Sequence, residues 1–177
     1  MEHKDSFIFD FTHLPKHPET YQYTLGRSFF ADVPDAEISD GDILLEVTLQ
    51  PLSSKRLLLL WHYTGSVEVP CDRCLDPLSI DMEIEEQLEV IIGDELDDEN
   101  NEVITLNAQD PIYDFKWIAY ELLALHLPIQ RVHKIEDCNP NMVKYLTSSE
   151  PYSTTNEDPR WKKLKLELKH NKGNNNN

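Results

Sequence analysis

Ser66-Val67-Glu68-Val69-Pro70-Cys71-Asp72-Arg73-Cys74-Leu75-Asp76-Pro77-Leu78-Ser79-Ile80-Asp81-Met82-Glu83-Ile84 is the stretch on which the reading of this chain turns. Apolar and polar residues alternate on both sides of a Cys-x-x-Cys, which is the period of a half-buried strand. The two cysteines therefore sit on a turn between strands. Two intervening residues let such a turn aim both sulfurs at one point. A third thiol, Cys138, lies five residues after His133 in Val132-His133-Lys134-Ile135-Glu136-Asp137-Cys138. The whole pattern is C-x2-C, a long gap, then H-x4-C, and Cys71, Cys74, His133 and Cys138 are a candidate ligand set for one structural zinc ion. A redox pair, a disulfide and ordinary buried thiols are the competing readings of a C-x-x-C. Redox chemistry of the thioredoxin kind needs the pair at a helix N-terminus, and a turn between strands suits a zinc knuckle better.

Working outward, Ile43-Leu44-Leu45-Glu46-Val47-Thr48-Leu49 and Lys55-Arg56-Leu57-Leu58-Leu59-Leu60 flank Pro51-Leu52-Ser53-Ser54 and read as a hairpin with a four-residue loop. Gly65 marks a bulge or turn before the strand that leads to Cys71. Ser79 to Ile92 reads as one long strand ending at Gly93. Phe7 to Phe11 and Tyr21 to Leu25 are two further strands, expected on one sheet. The polar run Asp94 to Glu102 reads as a solvated loop, since it lacks the ordered oxygen positions, central glycine and terminal glutamate of an EF-hand.

Helix signals come late. Asp110-Pro111 supplies a cap and a first-turn proline, and Ile112, Phe115, Ile118, Ala119, Leu122 and Leu125 follow at helical spacing until Pro128. Trp117 and Tyr120 widen the apolar face, which makes this helix the expected cover of the sheet. Asp158-Pro159-Arg160-Trp161 repeats the start signal, and Trp161, Leu164 and Leu168 form a stripe among lysines. The fold expected is α+β: a mainly antiparallel sheet covered by one long helix, with a short C-terminal amphipathic helix. The expected domains are one body over residues 1–146, a polar linker over 147–157, a basic helix over 158–170 and a disordered tail over 171–177.

Charge sets the partner class. Sixteen Lys and Arg against 33 Asp and Glu give a net charge of −17. From Arg160 onward six cations face Glu167 alone, so the tail carries +5 and the rest −22. An acidic body repels phosphate backbones and attracts basic proteins over roughly 8 Å at physiological salt. Arg160, Trp161, Lys162, Lys163 and Lys165 are the candidate partner-binding residues of the tail, able to meet RNA phosphates, a membrane surface, a partner's groove or the acidic body itself. With no apolar run near a membrane span, no signal-peptide pattern and an odd number of cysteines, a cytoplasmic protein is expected. Phosphate-loop, G-x-S-x-G and H-E-x-x-H motifs are missing, and five glycines leave little for a phosphate cradle, so a non-enzymatic role is expected.

Three motifs together resemble the YceD-like family, the DUF177 domain named for large ribosomal RNA subunit accumulation. They are Cys71-Asp72-Arg73-Cys74-Leu75, then Glu121-Leu122-Leu123-Ala124-Leu125-His126-Leu127-Pro128 running on to Val132-His133 and Cys138, and Asp158-Pro159-Arg160-Trp161-Lys162-Lys163-Leu164. The resemblance spans roughly residues 60 to 168. It implies a non-enzymatic factor supporting synthesis, processing or accumulation of large-subunit (23S) ribosomal RNA, with a basic ribosomal protein or large-subunit precursor as partner. Many members carry a second cysteine cluster downstream. This chain departs by offering only Cys138 with His133 before it, so any metal set must be Cys71, Cys74, His133 and Cys138. The alternatives are a zinc-containing adaptor unrelated to the ribosome and a C-x-x-C thiol oxidoreductase.

Overall fold

In a computed structural model, residues 2–3, 6–93, 103–147 and 161 are described. The chain divides into two compact units, Met1–Cys138 and Asn139–Asn177.

The first unit is built on three long strands, β4 (Asp40–Pro51), β5 (Arg56–Pro70) and β6 (Pro77–Ile92), paired antiparallel in sequence order. They exist because the two-residue period is almost unbroken. Ile43, Leu45, Val47 and Leu49 of β4, and Leu57, Leu59, Trp61, Tyr63, Val67 and Val69 of β5, are buried on one face. Polar residues occupy most of the intervening positions. A shift of one residue would turn every one of these side chains to water, so the register is fixed by burial. Strands β1 (Glu2–His3) and β3 (Glu19–Leu25) extend the sheet at one edge and β7 (Val103–Leu106) at the other, giving the order β1-β3-β4-β5-β6-β7. The two outermost pairings, β1 with β3 and β6 with β7, are parallel.

The cover is not one long helix. Ile112–Asp114 forms a strand, β8, paired antiparallel with β2 (Ile8–Asp10) in a separate two-stranded ribbon. The helix, α2, begins only at Lys116 and ends at Leu125. The apparent helical spacing from Ile112 to Leu125 thus joined a strand to a ten-residue helix. Pairing with Ile8–Asp10 claims Ile112 and Tyr113, and the Asp114 carboxylate, not Asp110, accepts a hydrogen bond from the Lys116 N–H at the helix start. The expected α+β architecture is therefore corrected to a mainly β fold with short helices. Phe7 to Phe11 likewise lies in the ribbon with β8 and is not strand-paired with Tyr21–Leu25, which belongs to the main sheet.

What covers the sheet is aromatic. Phe7, Phe9 and Phe11 from the ribbon, Phe29 and Phe30 from α1 (Arg27–Ala31), Phe115, and Ala119, Tyr120 and Leu123 from α2 share one core with the sheet's buried face. Phe115 meets Phe9, Phe11 and Trp61 with ring centroids 5.8 to 6.0 Å apart. Tyr63 Oη donates to the Ala119 carbonyl, and Tyr120 Oη accepts from the Glu37 N–H, so α2 is also hydrogen-bonded in place. Trp117, expected on the same face, is 54% exposed.

The β4–β5 loop is Leu52–Lys55, and β5 runs without interruption through Gly65. Gly65 makes neither a bulge nor a turn: it pairs in register with Ile43 and Met82 at φ 140°. A Cβ there would lie 2.0 Å from the Asp42 carbonyl oxygen. Gly65→Ala is expected to destabilise the fold by about 2–3 kcal/mol, read as a lower urea midpoint at unchanged slope.

The second unit contains α3 (Pro140–Thr147), which starts where Asn139 Oδ1 accepts from the Asn141 N–H. Trp161 is helical and 62% exposed. The Asp94 to Glu102 loop, most of the 147–157 linker, the rest of the basic helix with Arg160, Lys162, Lys163 and Lys165, and the 171–177 tail lie outside the described residues. Among the described residues no helix is long and apolar enough to cross a membrane.

Candidate metal centre

The β5–β6 hairpin closes with Pro70 opposite Pro77, leaving Cys71 to Asp76 as a knuckle at its tip. Hydrogen bonds from the Cys71 N–H to the Asp76 carbonyl and from the Leu75 N–H to the Cys71 carbonyl, each 2.9 Å, tie the knuckle off. Leu75 takes the left-handed conformation, at φ 64°, that this tight closure needs. Both cysteine side chains point inward, Cys71 fully buried and Cys74 nearly so.

A second segment docks on the knuckle. The Asp72 N–H donates to the Arg131 carbonyl and the Arg131 N–H donates to the Asp72 carboxylate, both at 2.7 Å. The Arg131 guanidinium then reaches Glu37 at 2.6 Å and approaches Asp72 at 3.6 Å. This clasp places residues 131–138 against the hairpin tip. It brings His133 and the buried Cys138 to the two cysteines. The loop from Arg131 to Cys138 is thereby held.

One donor atom from each of Cys71, Cys74, His133 and Cys138 lies within 4.8 Å of all the others. A zinc tetrahedron with bonds of about 2.0 to 2.3 Å has edges of about 3.5 to 3.8 Å, so shifts of about 1 Å would suffice to close the site. Three thiols and one imidazole are a donor set that suits zinc, and four protein ligands leave no open position for a substrate. The His133 ring is oriented for the task. Its Nε2 lies 3.0 Å from the Pro77 carbonyl, which can only accept, so Nε2 carries the proton and Nδ1, 3.4 Å from Cys74 Sγ, presents its lone pair.

Electrostatics at the site act differently on each of its groups. Burial opposes ionisation of Cys71, but the N–H groups of Cys74, His133 and Arg73 and the Cys74 thiol converge on its sulfur, and together they bring the Cys71 thiol down to about 6. His133 is pushed up from its ordinary value, chiefly by its hydrogen bond to Cys74. Cys138 is pushed up by burial, against the opposing pull of Arg73.

The site defines a class: a sheet protein with a Cys3His cluster at a hairpin tip, no helix N-terminus beneath its C-x-x-C and a full set of protein ligands. The chain belongs to the YceD family, described as large ribosomal RNA subunit accumulation proteins, whose model matches residues 59–167. Neither the curated proteins nor the solved structures give a match. The matched span opens inside β5 and includes the knuckle, α2 and the whole cysteine and histidine set. The clasp through Asp72, Arg131 and Glu37 was not anticipated from the sequence. Its only sequence signal is a carboxylate inside the C-x-x-C and a cation two residues before His133.

In metal-free, reduced protein, one of the three thiols should ionise near pH 6, followed by ultraviolet thiolate absorbance. Cys71→Ser should remove that transition and leave the later ones.

Proposed function

We propose that this protein supports accumulation of large-subunit ribosomal RNA as a non-enzymatic factor that holds a basic ribosomal protein or precursor on the uncovered face of its sheet. Family membership supplies the process. The observation that carries the partner class is the face itself. Ribbon, α1 and α2 all pack on the other side with the core. The uncovered side presents Asp42, Glu68, Asp81, Glu83 and Glu85, which form no ion pair among the described residues. Asp81, Glu83 and Glu85 stand at alternate positions of β6, about 6.8 Å apart. Thr20, Thr48, His62, Leu44 and Leu60 share the surface with them, so it offers apolar and hydrogen-bonding contact as well as charge. Such a face repels phosphate backbones and draws cationic polypeptides.

Zinc at Cys71, Cys74, His133 and Cys138 is structural in this reading, fastening residues 131–138 to the hairpin. The basic segment with Arg160, Trp161, Lys162, Lys163 and Lys165 is a secondary anchor, and direct contact with ribosomal RNA is assigned to it alone. No step of the role needs a nucleophile or an open metal position.

Pull-down from lysate is the test. Wild-type protein should retain large-subunit ribosomal proteins at low salt and lose them at moderate salt. The triple variant Asp81→Asn, Glu83→Gln, Glu85→Gln should associate with the purified partner about tenfold more slowly at low salt. Capture insensitive to both changes, or without ribosomal proteins, would count against the proposal.

A further inference from the structure

The hairpin tip holds a cation that meets no carboxylate among the described residues. Among the described residues Arg27, Arg56 and Arg131 each pair with an acid. Arg73 forms no ion pair there, although the chain carries twice as many acids as lysines and arginines together. Its guanidinium turns instead to the cysteine cluster. Nη1 donates to Cys138 Sγ at 3.5 Å and to the His133 carbonyl at 3.4 Å, and the Arg73 backbone N–H donates to Cys71 Sγ at 3.5 Å. One residue thus reaches two of the three sulfurs and the backbone of the fourth ligand.

A divalent ion held by three thiolates and a neutral imidazole carries one net negative charge. With Cys71, Cys74 and Cys138 all buried, that charge sits where an uncompensated ion is costly. Aspartate and glutamate surround the rest of the molecule and could only worsen it.

We propose that Arg73 is the counter-ion of the metal centre, a positioning residue that cancels its net charge and keeps Cys138 turned toward the ion. The proposal rests on the zinc reading above. Cys138 is the ligand that depends on it most, because it belongs to a segment without secondary structure, whereas Cys71 and Cys74 are fixed by the closure of the hairpin. Without Arg73 the sulfur loses its donor and the site its neutrality. Outer partners of metal ligands typically contribute about 10- to 100-fold in affinity.

The test compares full-length wild type, Arg73→Gln and Arg73→Lys. Zinc affinity is measured by competition with a chromophoric chelator, and the thiolate charge-transfer band is recorded after cobalt substitution. Arg73→Gln should bind zinc about 10- to 100-fold more weakly and shift the cobalt band to lower energy, as a thiolate without its hydrogen bond is a better electron donor. Arg73→Lys, which keeps the charge, should recover most of the affinity. Unchanged affinity and spectrum in Arg73→Gln would overturn the proposal and leave the zinc reading intact. Equal loss in both variants would replace the charge role by one of shape, overturning it too. Wild type that takes up neither zinc nor cobalt would sink both. Should Arg73→Gln not fold, Arg73→Lys alone decides: wild-type affinity supports the charge role, and a loss of tenfold or more refutes it.

Discussion

Convergence of three buried thiols and one imidazole at the tip of the β5–β6 hairpin is the constraint on which the rest of the unit Met1–Cys138 depends. Strands β5 and β6 are its longest, of 15 and 16 residues, and they deliver Cys71 and Cys74 to one end of the sheet. Residues 131–138 have no strand or helix of their own, and their place follows from the Asp72–Arg131 clasp and the ligand set. The clasp leads inward as well: Arg131 holds Glu37, and the Glu37 N–H donates to Tyr120 of α2. Knuckle, docked segment and helix form one connected arrangement. A metal ion at its end would lock together parts nearly 70 residues apart in sequence.

The two sides of the sheet are put to different use. One buries an aromatic cluster around Phe115 and Trp61, where edge-on and tilted ring contacts fill the space beneath short helices. The other is uncovered among the described residues and carries carboxylates at every second position of β6 from Asp81 to Glu85. A small sheet protein needs only one buried face for a core, so the second is free to be shaped by a partner. The cysteine and histidine cluster and the acidic face lie on the same hairpin.

Much of this was written in local patterns, and the failures have physical causes. The strands β4 to β6 were legible because period-two alternation is a property of consecutive residues. Cys71, Cys74, His133 and Cys138 could be grouped from sequence because the chain has only three cysteines and His133 stands five residues before the last, and the structure places their donor atoms within 4.8 Å of one another. The helix cover was misread because Ile112 and Phe115 continue the helical spacing of Ile118 and Leu122 by accident, while the decisive fact, pairing of Ile112–Asp114 with Ile8–Asp10, joins residues about a hundred positions apart. Gly65 was misread for a related reason: a glycine in a strand signals a special backbone, but only the approach of Asp42 from the neighbouring strand shows which kind. The parallel edge strands β1 and β7 have too few residues to show any period, and the clasp depends on a contact that no local pattern encodes.

Protein purified without chelator should be assayed for zinc by elemental analysis, and its ligands counted by X-ray absorption at the zinc edge. One zinc per chain, with three sulfurs at about 2.3 Å and one nitrogen at about 2.0 Å, is the predicted result. A folded, reduced sample free of metal, or zinc bound by two sulfurs with oxygen or nitrogen completing the shell, would contradict it.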